Sequence, residues 1–320
     1  MNPAPVIRVS HVTHRYDTLT ALDDVSFTVD KGEIYGLLGP NGGGKSTLFK
    51  ILSTNMLPSS GELSMAGIDL KEEPDAARSR FAVIFQHPSL DDKLSVYENL
   101  RHHGWCHGLS GEKLKEQIRR LLEQLGLSDR NGDRVEDLSG GMRRKTEIAK
   151  GLLTKPQIIF MDEPSTGLDP GARRNLWDII KKLNQEQGIT FVVTTHLMDE
   201  AEHCDSIGIL DRGEIVVRGK PEPLKAEIGS ELVEIQTDQS ESVRDVLHSE
   251  YDIDSDSVDG TILFERADGH SLIPELMEKL SGKIQGIAVR QPTLDDVFLH
   301  FTGHRFEEGE NQSGDVSDAI

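Results

Sequence analysis

The residues best suited to chemistry begin at Gly39-Pro40-Asn41-Gly42-Gly43-Gly44-Lys45-Ser46-Thr47. Their spacing, G-x-x-x-x-G-K-S, is that of a phosphate-binding loop. Glycines let the backbone turn so that successive N–H groups converge on a polyphosphate, and a helix starting there adds its positive dipole end. In such a loop Lys45 reaches the β- and γ-phosphates and the Ser46 hydroxyl helps hold Mg²⁺. The bland alternative is a Gly-rich turn with a stray lysine. Against it, the loop lies between an apolar run, Ile34 to Leu38, and a helix-like stretch, Leu48 to Leu52, which is the context the motif requires.

Three other strand-like runs also end in polar groups. Gln157 to Met161 delivers Asp162-Glu163, Ile189 to Thr194 leads to Thr195-His196, and Phe81 to Phe85 ends at Gln86. Adjacent carboxylates at the end of a buried strand are costly without a task. Asp162 can take the Mg²⁺ side, while Glu163 can orient or deprotonate a water. A lone His is usually structural and a Gln at a strand end usually sits on the surface. Where several strand ends converge they become better candidates, because ligand sites in α/β sheets gather there. A further anion-binding candidate is Leu138-Ser139-Gly140-Gly141-Met142. Ser139 is a plausible helix N-cap, and the two glycines leave N–H groups open at a positive helix end. Tyr16 is either ordinary packing or the flat apolar plate that a nucleotide base needs.

The elements that position these groups follow from periodicity. Val6 to Thr13 and Val25 to Val29 alternate like strands, Glu62 to Met65 is a short strand, and Ser206 to Gly219 reads as a hairpin turning at Arg212-Gly213. A helical region spans Val96 to about Leu125 and stops at Gly126; others run from Ser139 to about Leu153 and from Ala172 to about Leu183. His102, His103, Cys106 and His107 lie together, but their spacing matches no standard zinc pattern. Beyond Lys220-Pro221-Glu222-Pro223 the pattern alternates strand (232–236), helix (243–248), strand (261–265), helix (273–280), strand (287–290) and helix (294–301), a small α+β unit without a catalytic constellation.

Composition supports the same boundary. The 320 residues carry a net charge of −20. From Pro221 onward there are 23 acids and 7 bases, a net of −16, which leaves 32 acids and 28 bases, a net of −4, before it. The expected division is therefore 1–220, 221–305 and an acidic, disordered tail at 306–320. The acidic balance argues against non-specific nucleic-acid binding. Mean hydropathy is −0.41, and no run approaches the ~20 apolar residues of a membrane span. Two cysteines make no disulfide framework, and Met1 to Pro5 shows no signal-peptide pattern, so the expected setting is the reducing cytoplasm.

Together these residues resemble the ATP-binding subunit of an ABC transporter, over the first ~220 residues and in the family's order. The set is a base-stacking aromatic (Tyr16), Walker A (Gly39 to Thr47), Q-loop (Gln86), signature (LSGGM from Leu138), Walker B (IIFMDE from Ile158), D-loop (STGLD from Ser165) and switch histidine (His196). Two mild departures are Met142, where Gln is commoner, and Gly43, where Ala is frequent. Gln291-Pro292-Thr293-Leu294-Asp295-Asp296-Val297-Phe298-Leu299 with Thr302-Gly303, and SGGMRRK from Ser139, resemble the daunorubicin-type drug-resistance ATPases.

The resemblance implies an α/β fold of the ABC P-loop NTPase type, with a RecA-like core sheet, an antiparallel β subdomain and a helical signature subdomain, followed by a small α+β domain for regulation or dimerisation. It implies ATP and Mg²⁺ as cofactors, with Ser46, Gln86 and Asp162 on the metal. Glu163 polarises the attacking water, His196 contacts the γ-phosphate, and Gln86 also meets the permease. Ser139, Gly140 and Gly141 bind ATP held by a second subunit, and Asp169 links the two sites. The implied partners are a membrane permease and a second ATP-binding subunit, the implied reaction is ATP hydrolysis driving export, and the implied location is peripheral, on the cytoplasmic face of the membrane through the permease. The alternative, a soluble ABC ATPase acting on DNA or ribosomes, fits less well: the chain has no long coiled-coil insertion and no second cassette. A regulator that barely hydrolyses is disfavoured by the intact Lys45, Asp162, Glu163 and His196.

Overall fold

The computed structural model describes residues 5–229, 231–258, 260–266 and 269–304, so the expected tail at 306–320 lies outside it. Among the described residues, those up to Arg218 and those from Gly219 to His304 form two compact units.

In the first unit, β1 (Ile7–Tyr16) and β2 (Leu19–Val29) make a hairpin, and β3 (Ile34–Leu38) feeds the phosphate loop and α1 (Lys45–Leu52). β4 (Ser60–Met65), β5 (Ile68–Asp69) and α2 (Pro74–Arg78) precede β6 (Phe81–Ile84). Helices α3 (Val96–Cys106), α4 (Gly111–Gln124) and α5 (Gly140–Leu152) follow, then β7 (Ile158–Asp162), α6 (Pro170–Gln187), β8 (Thr190–Thr195), the single turn α7 (Met198–Ala201), β9 (Ser206–Asp211) and β10 (Glu214–Gly219).

The core sheet has strand order β10-β9-β3-β8-β7-β6, and β9 through β6 pair in parallel. β3 is buried throughout, β8 likewise, and β7 up to Met161, as expected of parallel strands covered on both faces. Register then sets the site: Leu38 pairs with Thr195 and Asp162 with Thr194, which brings the loop, the carboxylates and His196 to one edge. A second, antiparallel sheet has the order β2-β1-β4-β5. Its apolar face (Val9, Leu22, Val25) joins Leu48 and Phe49 of α1 and Phe160 of β7 in one core cluster. Each large side chain buried there contributes roughly 1.5–3 kcal/mol, so α1 is clamped behind the loop.

Three boundaries differ from sequence expectation. The hairpin strands extend to Tyr16 and from Leu19, because register shifts between Val9 and Val12, at His11 (φ 52°), change the phase of the alternation. The helical region from Val96 breaks into two helices, with Gly108 at φ 74° and Gly111 at φ 68°. Its expected stop does occur at Gly126: Leu127 N–H donates to Leu122 O and Gly126 N–H to Glu123 O, a Schellman cap. Finally, α6 starts at Pro170 because Asp169 caps it through the N–H groups of Gly171 and Ala172, both 2.9 Å away.

In the second unit, α8 (Pro221–Ile228) precedes β11 (Leu232–Gln236), α9 (Ser240–Tyr251), β12 (Asp256–Val258), β13 (Thr261–Glu265), α10 (Gly269–Lys279), β14 (Gly286–Arg290) and α11 (Leu294–Thr302). The sheet order β12-β13-β11-β14 with the sequence βαββαβ is a ferredoxin-like arrangement. Val233, Ile235, Ile262 and Phe264 of the sheet pack on Val243, Leu247 and Leu276 of the helices. The short acidic β12 carries no alternation visible in sequence.

Candidate functional site

The phosphate loop is built by close approach. Gly44 adopts φ 107°, and a Cβ there would lie 2.7 Å from Ala21 O; a Cβ on Gly39 would lie 2.1 Å from Leu210 O. Only glycine fits either place. Lys45 is 5% exposed and folds over the loop, donating to Gly39 O (2.5 Å) and Pro40 O (2.9 Å). Burial pulls its pKa down, opposed by the nearby Glu163 and Asp162 carboxylates.

A cleft of about 420 Å³ opens over this loop, lined among others by Tyr16, Asn41, Lys45, Ser46, Thr47 and Glu163. Tyr16 stands at its rim, 39% exposed, braced edge-on by His14 at 4.6 Å and donating to Met56 Sδ at 3.2 Å. That leaves a ring face for a flat ligand. Thr20, Arg212 and Gly213 also line the cleft; the Arg212-Gly213 hairpin had suggested only a turn.

Glu163 holds a backbone φ of 40°, in the left-handed region that disfavours non-glycine residues. Thr194 secures it: Glu163 N–H donates to Thr194 O (3.1 Å) and Oγ1 (3.0 Å), while the Thr194 hydroxyl donates to Asp162 Oδ1 at 2.5 Å. Strain kept in place by its surroundings marks functional residues. The Glu163 carboxylate accepts from Thr166 Oγ1 (3.2 Å) and, weakly, from Gln86 Nε2 (3.4 Å). His196 Nδ1 lies 3.2 Å from Glu163 Oε1, an ionic approach without good hydrogen-bond alignment. The pairing with His196 holds Glu163 below the ordinary carboxylate range and, reciprocally, raises His196. Burial pushes Asp162 up, partly offset by Thr194.

Gln86 is positioned from α5. Arg144, 5% exposed, donates to Phe85 O (2.7 Å) and Gln86 O (3.0 Å), and the buried Glu147 accepts from Ser89 N–H at 2.9 Å. Sequence reasoning missed both residues, since helical periodicity alone cannot show which loop they grip. Thr194 left a faint signal as a polar residue inside a buried strand.

Ser139, Gly140, Gly141 and Asp169 are elsewhere in the chain's surface. Ser139 caps α5 through Met142 N–H (3.4 Å), and its helix start meets the 168–172 segment: a Cβ on Gly141 would lie 3.1 Å from Ala172 Cβ. Ser139, Gly141, Leu168 and Gly171 line a separate depression of about 300 Å³. The loop with Glu163 forms one cleft, and the Ser139 helix end with the Asp169 loop forms another.

Fold and site together define a P-loop nucleoside-triphosphatase, with its loop at the end of β3 and a carboxylate pair at the end of β7, the next strand but one across β8. The profile of the ABC transporter family matches residues 22–166, and that of the ATP-binding protein DrrA1-3-like C-terminal domain matches residues 219–302. The daunorubicin resistance ATP-binding protein DrrA3 of Streptomyces coeruleorubidus is 34% identical over 304 residues, 93% of this chain and 96% of that protein. The Nod factor export ATP-binding protein I of Cupriavidus metallidurans is 36% identical over 95% of this chain and 99% of its own length. Among solved structures, an ATP-binding subunit of an ABC transporter superposes with TM-score 0.62 at 32% identity, covering 69% of this chain and 92% of that one. The dimeric post-hydrolysis state of the ATP-binding cassette MJ0796 bound to ADP and Pi superposes with TM-score 0.61 at 28% identity, covering 67% and 98%. The chain belongs to the ABC transporter family, as an ATP-binding, ATP-hydrolysing subunit with a DrrA-like C-terminal domain. No helix among the described residues is long and apolar enough to cross a membrane.

Proposed function

We propose that this subunit powers export of a substrate through a separate membrane permease, working as a head-to-tail pair of copies that share two ATP sites. The observation that carries this reading is the separation of Ser139 and Gly141 from the cleft that holds Lys45 and Glu163. A second copy, inverted, would set one chain's helix end over the other chain's loop, where its N–H groups suit a γ-phosphate. Asp169 would then lie at the seam between the copies. The relatives' names speak of daunorubicin resistance and Nod factor export, which supports export as the direction.

Tyr16 stacks the base, the N–H groups of residues 41–47 cradle the phosphates, and Lys45 neutralises them. The oxygen donors Ser46, Gln86 and Asp162 fit a hard divalent cation such as Mg²⁺. That ion would supply charge neutralisation at the phosphates. Glu163 orients and deprotonates the attacking water. While His196 pairs with Glu163, the carboxylate is a weakened base. A His196 drawn to the γ-phosphate releases that restraint and raises the basicity of Glu163 when substrate is in place. ATP favours the closed pair and product release the open one, so the work lies in the difference in affinity between the two forms. The subunit sits peripherally on the cytoplasmic face of the membrane, held by the permease, with no role for nucleic acid. Its test is Glu163→Gln assayed for ATPase activity and nucleotide binding: binding is retained and multiple turnover is lost. Rapid turnover by the variant would overturn the assignment.

A further inference from the structure

Glu200 takes no part in the chemistry above, yet its carboxylate is buried, 1% exposed, on the single turn α7 directly behind the site. Its two oxygens are divided between two motifs. The Ser165 hydroxyl donates to Oε1, and the Thr195 hydroxyl donates to Oε2 at 2.7 Å. Ser165 and Thr195 are each 1% exposed. Thr195 Oγ1 also accepts from Leu197 N–H at 3.0 Å, which fixes the turn on which His196 sits. Arg173, in the first turn of α6, brings Nε to 3.9 Å from Glu200 Oε1.

The placement in sequence gives this cluster its meaning. Ser165 follows Glu163 by two residues and opens the loop ending at Asp169; Thr195 immediately precedes His196. One carboxylate therefore ties the loop that leaves the water-activating residue to the turn that carries the γ-phosphate contact. If holding two loops together were the whole task, apolar side chains of similar volume would serve as well or better, because they bury no charge. Two hydroxyl–carboxylate bonds instead fix one relative position of the loops.

We propose that Glu200 is a positioning residue, a bracket that makes the His196 turn and the 164–169 loop move as one piece. Motion of His196 toward a bound γ-phosphate is thereby carried to Asp169 and to the second copy. This rests on the roles given above to Glu163, His196 and Asp169.

The test is a double-mutant cycle in steady-state ATP hydrolysis by the full chain with its transporter partner. Ser165→Ala and Thr195→Val each remove one end of the bracket. Each single change should lower kcat by roughly tenfold to a hundredfold, as a small misplacement of catalytic groups does, with KM for ATP within about twofold. The double variant should be no slower than the slower single, because opening either end opens the bracket. Glu200→Gln should keep more activity than Glu200→Ala, since its amide can still bridge two hydroxyls that rotate to suit. If Glu200→Ala does not fold, the Ser165 and Thr195 pair decides alone. Effects that multiply, or single variants with kcat within about twofold of the parent, overturn the bracket. Glu163→Gln, run alongside, separates the two claims. If it turns over at the parent rate, the site assignment itself fails. If it is inactive while the cycle is additive, only the bracket fails.

Discussion

Two charged clusters, one in each unit, show how differently this chain spends buried polar groups. At the end of the unit-two sheet, Arg290 donates to both oxygens of Asp296 (2.6 and 2.9 Å) and approaches Glu234 at 3.3 Å. Asp296 also accepts from Thr293 N–H at 2.7 Å and closes a capping box at the start of α11. Every strong donor there has an acceptor in the same unit, and the PTLDD stretch is a clasp that sets α11 against β14. In the nucleotide cleft, Lys45 leans on loop carbonyls, Glu163 is held at φ 40°, and His196 faces it off-axis. That cluster keeps valences for something else. A closed network stabilises, whereas an open one is ready to bind and react.

The sharpest way to break this contrast is Glu163→Gln, which should slow turnover by roughly 10²–10⁴-fold. Asp296→Ala should leave kcat of the transporter complex unchanged while destabilising the second unit by about 2 kcal/mol, from the cap and the bidentate pair together. Chemical denaturation followed alongside ATPase activity reads both quantities. A fall in kcat without loss of folded protein would give the clasp a catalytic part and erase the distinction.

An intermediate effect is expected from Arg144→Ala. It frees two loop carbonyls, should cost about 1.5–3 kcal/mol, and should lower kcat through the loosened Gln86. Arg144→Lys, which cannot span both carbonyls in a fixed fork, should recover only part of the loss.

The smallest effect concerns pH. His196 is raised above its ordinary 6.5 by Glu163, so its contribution to stability is full below that value and fades as pH rises through the raised one. Glu163 is lowered from its ordinary 4.5 by His196, so its contribution is present above that value and is lost as pH falls through the lowered one. The pair therefore matters most between these two ordinary values. Without nucleotide, His196→Ala should cost less than about 1 kcal/mol. The difference in urea midpoint from the parent should be larger at about pH 5.5 than at about pH 8.5.

What was legible in sequence divides along the same line. Lys45, Asp162, Glu163 and His196 could be read because each stands at the end of an apolar run, and parallel strands bring such ends to one edge. The family of the second unit could be read from its last helix motif. Its ferredoxin-like order could not, because β12 is short and acidic and its pairing with β13 is not encoded in any local period. The bulge at His11, the left-handed turn at Glu163, the grip of Arg144 on residues 85 and 86 and the burial of Glu200 were equally hidden. Each depends on a partner far along the chain, and periodicity reports only which face of an element is buried.

In the proposed pair each ATP site is shared between two copies, and one measurement tests that sharing directly. Glu163→Gln, given ATP and Mg²⁺, should elute as a dimer in size-exclusion chromatography and as a monomer without nucleotide. Adding Ser139→Asp preserves the helix cap, since Asp caps as well as Ser, but sets a negative charge where the other copy's γ-phosphate would lie. The double variant should remain monomeric and still bind fluorescent ATP, with the affinity that Glu163→Gln shows when diluted until it no longer pairs. A double variant that still dimerises with ATP, or one that loses ATP binding in the monomer, would contradict the shared site.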